Sequence, residues 1–414
     1  MTSVGKALDF LPLILGTDNN AYGVARAIYE NYGIKSICLG KRGLGYTSDS
    51  KILTRVLNLR MGEDKVLLDT LEQLSVRYPE VKKIIIPCGD SYAQQVSRNK
   101  QLLESRGFLF SAVDAGLQKR LENKLDFYSV CEQHGLAYPK TFVITEKMVS
   151  AGDVQLPFDF PVALKANDSI AYLGLNFAGK RKAYRIENSG ELNDALHRIY
   201  AAGYTGKMVA QDFIPGDCAQ MAVLNAYVSR SGQVRMMCFG QCVLDAVLPA
   251  EIGNYHALYT TDGSEVYPVF QRFLEEIGYT GFANFDLKRD PRDGVYKVFE
   301  INLRQGRSSF HMDLGGCNFI TYLIDDLLGL DDGSKPAHLH TETGKMWLYV
   351  SPFLVKRYAP PAIRQQALEV LRRGYGFTQW YEKDRTWLRW LRYHRERLSS
   401  LKSYWHYARR PGRA

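Results

Sequence analysis

The stretch FANFDLKRDPRDGVYKVFEINLR, residues 282–304, restricts the fold more than any other part of this 414-residue chain. Two apolar runs flank a turn at Pro291 to Gly294, and polar residues interrupt them singly (Phe285, Asp286, Leu287; Phe299, Glu300, Ile301, Asn302), which predicts two neighbouring antiparallel strands. Side chains two apart on a strand point the same way, so Glu300 and Asn302 share a face and Asp286 can face them across the hairpin. Two carboxylates and an amide oxygen form a hard oxygen cluster suited to Mg²⁺, which takes few protein ligands and completes its octahedron with water and phosphate. The acids lie among Phe282, Phe285, Leu287, Val298, Phe299 and Ile301, where an unpaired carboxylate would be costly, so a metal or cation partner is expected.

The second strand runs on as LRQGRSSF, which sets Arg304, Arg307, Ser308 and Ser309 around Gly306. Guanidinium forks bind phosphate and carboxylate bidentately, and a glycine turn lets backbone amides approach an anion. A negatively charged reaction centre beside the metal is therefore expected, with Arg304, Arg307 and Ser308 in catalytic roles.

Other parts of the chain supply the frame. Residues 11–33 read as strand (LPLIL), turn (GTDNNAYG) and helix, with ICLG a second strand; KKIIIPCGD is a further strand, ending before a helical run over residues 91–107. The first ~110 residues thus predict a doubly wound α/β sheet with ligand-facing turns at Gly16 to Gly23 and Gly89 to Ser91. From Phe160 the pattern becomes α+β and antiparallel. Lys165 lies in the apolar strand PVALKAND, where its ammonium must snorkel or meet an anion; Lys124 sits on a helix. Both are candidate phosphate cations, and Asn167 to Lys182 could close as a lid carrying Arg181 or Lys182. MVAQDFIPGD turns at Pro215 and Gly216, so its strand end can offer backbone groups to an adenine edge and Asp217 to ribose. LNAYVSRSGQVRMMCFG predicts a hairpin about Ser231 and Gly232, and FITYLIDDLLG a closing helix.

Seven scattered cysteines without CxxC spacing near histidines support neither a disulfide framework nor a zinc site, and a reducing cytoplasm is the expected location. The apolar run Phe10 to Leu15 is too short to cross a bilayer. The net charge of +9 is concentrated: residues 380–414 hold ten basic and three acidic side chains and four of the five tryptophans. Trp387, Trp390, Leu391, His394, Leu398 and Leu401 recur at helical spacing while Arg385, Arg389, Arg392 and Arg395 occupy other faces, which predicts a basic amphipathic helix. Such a helix suits packing on the enzyme body or peripheral contact with an anionic membrane, which would put the protein at the inner face of the membrane; nucleic acid is a competing electrostatic partner and is not expected.

Lys124, Lys165, QDFIPGD, FANFDLK and EINLRQGRSS occur in the order of the nucleotide-site elements of ATP-grasp enzymes, which the chain resembles over roughly residues 1–330. The resemblance implies an ATP-grasp fold, α/β and α+β: an N-terminal pre-ATP-grasp domain (1–115), two α+β lobes enclosing ATP (116–205 and 206–330) and a basic aromatic C-terminal extension (331–414). By position it implies that Lys124 and Lys165 bind ATP phosphates, that Gln211, Asp212, Phe213 and Ile214 border adenine with Asp217 on ribose, that Asp286, Glu300 and Asn302 hold two Mg²⁺ ions, and that Arg304 holds an acyl phosphate. EINLRQGRSS is also similar to a run in carbamoyl-phosphate synthases, whose duplicated halves this chain lacks. PLILGTDNNAYGVAR, IIPCGDSYA, LPFDFPVALKA, VAQDFIPGD, YTGFANFD and FEINLRQGRSSF resemble the D-aspartate ligases that build the side branch of bacterial peptidoglycan. That resemblance implies activation of the β-carboxylate of D-aspartate by ATP and attack by the ε-amine of the lysine in a peptidoglycan precursor. It departs at Cys218, where the family usually has a second acid. A ligase making a small dipeptide or amide is the neighbouring alternative; a nucleotide sensor fits poorly with three metal ligands and two arginines.

Overall fold

The run Phe10–Leu15 forms strand β1, and its exit through Gly16 and Thr17 starts helix α1 (Asn19–Tyr32). The Asp18 carboxylate caps α1 by accepting from the Ala21 amide at 3.0 Å, and Gly33 closes it at φ 70°, a conformation that favours glycine. The structure is a computed structural model and describes residues 9–408 except Asp153, Ser169, Ile170, Leu173, Lys182, Pro249, Ala250, Ile252 and Asp332. Strands β2 (Ser36–Gly40), β3 (Leu53–Leu57) and β4 (Lys82–Pro87) complete a parallel sheet in the order β3-β2-β1-β4. Alternate β1 residues feed two cores: Ile14 packs with Tyr22, Ala25 and Ile28 of α1, and Leu13 and Leu15 with Leu67, Leu71 and Leu74 of helix α2 (Asp64–Arg77). This is the doubly wound start expected from sequence. The run expected as one helix after β4 is two, α3 (Asp90–Arg98) and Lys100–Ser105, broken at Asn99.

The chain divides into two compact units. Unit 1 takes the residues up to Lys119, then Asp217–Leu287, then Ile301 onward; unit 2 takes Arg120–Gly216 and Lys288–Glu300.

Unit 2 contains helix α4 (Lys124–Gln133) and an antiparallel sheet of β5 (Thr141–Ile144), β6 (Val162–Ala166), β7 (Ala183–Ile186) and β8 (Met208–Asp212), ordered β5-β8-β6-β7. Helix α5 (Ser189–Ala201) buries Leu192, Leu196 and Ile199 against Val162, Leu164, Met208 and Ala210.

In unit 1, β9 (Met221–Val228), β10 (Val234–Asp245) and β11 (Tyr255–Thr261) form the centre of a larger sheet, joined by β12 (Gly281–Arg289), β13 (Tyr296–Asn302), β14 (His338–His340), β15 (Met346–Leu348) and β16 (Tyr375–Gly376). The order is β13-β12-β9-β10-β11-β15-β16, with β14 pairing β10. The predicted hairpin about Ser231 and Gly232 joins β9 to β10. From Lys288 to Glu300 the β12–β13 hairpin belongs to unit 2. There Asp290 is fully buried and organises the turn, accepting from the Arg292 amide at 3.0 Å and the Lys297 ammonium at 2.5 Å. Helices α6 (Phe310–Gly315) and α7 (Phe319–Leu328) follow β13, and α8 (Trp387–Tyr407) ends the described chain.

The C-terminal helix forms where the amphipathic pattern predicts it, and it packs on unit 1 with a face other than the tryptophan stripe. Arg389 is buried, lying 4.2 Å from the Tyr22 ring centroid and donating to the Tyr46 carbonyl at 2.7 Å; Arg397 is buried 4.1 Å from the Phe377 ring centroid, and Tyr404 donates to the Asp245 carbonyl at 2.7 Å. Positions 389, 393, 397, 401 and 404 form that stripe, and Trp387, Leu391, Leu398 and Trp405 face solvent. Arg409, Arg410 and Arg413 lie outside the described residues.

Candidate active site

The parallel pairing of β1 and β4, with Leu15 opposite Pro87, brings their C-terminal turns to one sheet edge within unit 1. Asn20 ties these turns to the segment after β13: its amide donates to the Cys88 carbonyl at 3.2 Å and to the Gln305 carbonyl at 2.9 Å. Asn19 donates to the Arg307 carbonyl at 3.4 Å. The glycine turn thereby holds Arg304 and Arg307 near the N-terminus of α1, whose dipole favours anions. Arg304 pairs with Asp90 at 2.9 Å, and Arg307 lies 4.5 Å from the Tyr349 ring centroid and donates to the Tyr255 carbonyl at 3.4 Å. Burial raises the pKa of Asp18, opposed by the Ala21 amide and by the nearby charges of Arg304 and Arg307. Ser308 and Ser309 are enclosed, at 6% and 2% exposure, and the Ser308 carbonyl accepts from the His311 amide at 2.8 Å. Ser308 thus builds the turn into α6.

Of the predicted metal ligands, Asp286 and Asn302 belong to unit 1 and Glu300 to unit 2. Tyr255 donates to Asp286 at 2.7 Å. Asn302 donates to the Asn284 side chain at 3.1 Å, and its oxygen lies 3.4 Å from the Arg304 guanidinium. Against the expectation of carboxylates enclosed in apolar strands, Glu300 is exposed and Asp286 only half-buried. Alternation turns Phe285, Leu287 and Ile301 into the core and leaves the carboxylates on the other side of the strands, so burial does not force them to find a metal. The donor chemistry, two carboxylate positions and an amide, still fits Mg²⁺.

Unit 2 holds both lysines. Lys124 opens α4 beside Asn123, whose side chain caps the helix by accepting from Leu125 and Asp126. Lys165 is half-buried on β6, on the face opposite the buried Val162 and Leu164, with its ammonium 5.8 Å from the Phe299 ring centroid. Gln211 is buried and donates to Tyr128 at 3.0 Å and Thr141 at 3.1 Å. At the end of β8, the Asp212 amide donates to the Lys140 carbonyl at 2.9 Å and the Phe213 amide to the Pro161 carbonyl at 3.2 Å, and Arg292 clasps the Asp212 carboxylate at 2.9 and 2.6 Å. The amides of Asp212 and Phe213 are therefore engaged within the protein. The Ile214 carbonyl accepts from Lys288 at 2.8 Å. Arg181 donates its amide to Tyr184 at 3.0 Å, and Lys182 lies outside the described residues. Asp217, in unit 1, is exposed and caps a short turn through the Ala219 amide at 2.8 Å.

Sequence reasoning did not mark Tyr255 or the carboxylates of Asp18 and Asp90 individually. Their signal was weak: Tyr255 begins a strand and carried no assigned role, and the acids stood only within turns.

The D-aspartate ligase of Enterococcus faecium (strain Aus0004) is 42% identical to this chain over 392 residues, covering 92% of this chain and 93% of the relative. No family profile matches. Among solved structures, the biotin carboxylase domain of the Hydrogenobacter thermophilus 2-oxoglutarate carboxylase, in complex with MgADP, ADP and bicarbonate, superposes with a TM-score of 0.60 at 14% identity, covering 82% of this chain and 73% of that one. The L-amino acid ligase from Bacillus licheniformis gives 0.54 at 15% identity (80% and 78%), and N5-carboxyaminoimidazole ribonucleotide synthetase from Thermus thermophilus gives 0.55 at 14% (81% and 81%). These neighbours share the ATP-grasp fold.

Proposed function

Because the chain belongs to the D-aspartate ligase family, as an ATP-grasp enzyme that forms a C–N bond, we propose that it activates the β-carboxylate of D-aspartate with ATP and joins it to the ε-amine of the lysine in a peptidoglycan precursor. The observation that carries this reading is 42% identity maintained over 92% of the chain, with Arg304 and Arg307 gathered at the turns after β1 and β4. A carboxylate is a poor electrophile, and its acyl phosphate has a leaving group; the amine then displaces phosphate, so that ADP and phosphate are released. Bound at Asp286, Glu300 and Asn302, two Mg²⁺ ions would neutralise charge on the transferring phosphoryl group. Lys124 and Lys165 bind the ATP phosphates, the strand end at Gln211 to Ile214 borders adenine, and Asp217 takes ribose.

An amino acid with two carboxylates and one ammonium group suits a site of mixed sign. Arg304 and Arg307 orient the substrate carboxylates and, later, the acyl phosphate. Asp18 and Asp90, both near those arginines, face the ammonium group. Tyr255 holds Asp286 in place through its hydroxyl.

The test is ADP release with a panel of D- and L-amino acids and a lysine-containing wall precursor. D-Aspartate should stimulate turnover only when the amine acceptor is present. Stimulation by another amino acid, or by a free amino acid as acceptor, would replace the substrate assignment with a ligase of different or dipeptide product.

Among the described residues no helix is long and apolar enough to cross a membrane. The solvent-facing Trp387, Leu391, Leu398 and Trp405 of α8, flanked by arginines, favour peripheral contact with the anionic inner face of a membrane in the cytoplasm. Trp387→Ala with Trp405→Ala should reduce sedimentation with anionic vesicles; equal sedimentation of the variant and the parent chain would rule this contact out.

A further inference from the structure

We propose that Cys317, His338 and His340 form a binding site for a zinc-class divalent ion, with Cys238 beside them as the fourth ligand. The site lies within unit 1, apart from the residues assigned above to substrate and Mg²⁺. His338 and His340 are two apart on β14 and so share a face. β14 runs parallel to β10 in a register that sets Cys238 opposite His340 and Met236 opposite His338. Cys317 reaches the same place from the turn after α6, where Gly316 takes φ 97° and the Cys317 amide donates to the Met312 carbonyl at 2.8 Å. Glycine accommodates that left-handed step, which redirects the chain so that the thiol faces β14.

The ligand atoms of Cys317, His338 and His340 all lie within 4.8 Å of one another, and His338 Nε2 is 3.5 Å from His340 Nδ1. In a tetrahedral zinc site with bonds of 2.0–2.3 Å, neighbouring ligand atoms are about 3.3–3.8 Å apart, so closure about these three atoms needs shifts of about 1 Å, and Cys238, which lies outside that group, has to turn inward to supply the fourth ligand. The Cys317 side chain lies beside those of Cys238 and His338. Cys238, Cys317 and His340 are buried, at 0%, 1% and 4% exposure, and His338 is exposed, which gives an ion a route in. His340 Nε2 has no hydrogen-bond partner among the described residues. Two thiols and two imidazoles are soft-to-borderline donors, the set that selects zinc over magnesium. All seven cysteines are unbridged.

Such an ion would tie β10 and β14 to the C-terminal end of α6. That helix has six residues, about 9 Å, and its other end begins at the Ser308 and Ser309 turn that carries Arg307. The ion would act as a clamp that fixes the arginine turn from behind.

The test uses the full-length protein, stripped of metal with a chelator under reducing conditions, and Zn²⁺ alone as probe in the presence of excess Mg²⁺. One Zn²⁺ per chain should bind, and Co²⁺ in its place should give a thiolate-to-metal charge-transfer band. Cys317→Ser, which nearly preserves shape, should abolish the band and weaken Zn²⁺ binding by at least about 100-fold, beyond the 10–100-fold cost of losing an outer-shell group. His338→Ala, at an exposed position, should also weaken binding while the metal-free variant melts like the metal-free parent. The proposal is overturned by uptake well below one ion per chain, by displacement with Mg²⁺, by unchanged affinity in Cys317→Ser, or by a Cys238–Cys317 disulfide whose reduction restores no metal binding.

Discussion

Two regions of unit 1 handle polar side chains in opposite ways. Around the turns after β1 and β4, Asp90, Asp286, Arg304 and Arg307 are exposed or half-buried and engage one another or a tyrosine. Along α6 and the turn that follows it, His311, Cys317, Cys238 and His340 are buried, and the Nε2 atoms of His311 and His340 lack partners among the described residues. Hard charges left near water keep their ionised forms at little cost and can exchange partners when an anion arrives. Soft neutral donors can be enclosed, because a thiol or neutral imidazole costs far less to desolvate than an ion. The first arrangement favours turnover and the second favours a fixed scaffold.

If that division is right, the largest effect of substitution at the exposed region should be on rate rather than stability. Arg304→Ala is expected to lower kcat by about 10²–10³-fold, and Glu300→Gln, at an exposed carboxylate of unit 2, to abolish turnover, with little change in melting temperature for either. Retained ligation in Glu300→Gln, or unfolding in Arg304→Ala, would break the comparison.

The buried region should reveal itself through acid. Burial lowers the pKa of His311 from 6.5 to about 4. The folded value lies below the unfolded one, so the neutral ring's contribution is full above pH 6.5 and is lost as pH falls toward 4. A gap of that size corresponds to ~3 kcal/mol. Denaturant midpoints between pH 7 and 4 should therefore fall, and His311→Gln should flatten that slope; an unchanged slope would remove His311 as its cause.

A smaller change sharpens the assignment within the exposed region. Asp18→Asn keeps a good helix cap, so stability should hold, while loss of the charge facing the substrate ammonium should raise KM for the amino acid about tenfold at similar kcat. An unchanged KM would leave Asp18 as a cap alone.

Much of the fold was legible because it is written in local periodicity. β1 with α1, β4, β6, β8, the two hairpins and α7 all follow from apolar alternation or helical spacing closed by glycine turns. β3, β14 and β16 were not marked, since Leu53–Leu57 has exposed polar neighbours and the last two have only three and two residues. The arginines were legible because they sit in one contiguous run beside Gly306. The face on which α8 packs was not. Arginine is amphipathic, and the rings of Tyr22 and Phe377 accept the guanidinium groups of Arg389, which the helical pattern placed off the apolar face, and of Arg397.

By itself, the sequence determined the α/β start, the antiparallel hairpins, the family and the types of side chain at the reaction centre, because each is encoded within a few consecutive residues or in ordered motifs. Only the tertiary structure decided that residues 288–300 join 120–216, that Asn20 fastens the arginine turn to the first sheet, and that Cys238, Cys317, His338 and His340 meet. The physical reason is that parallel pairing and chain reversal unite segments far apart in sequence, 285 residues in the case of Asn20 and Gln305, and no local spacing records which of them will touch.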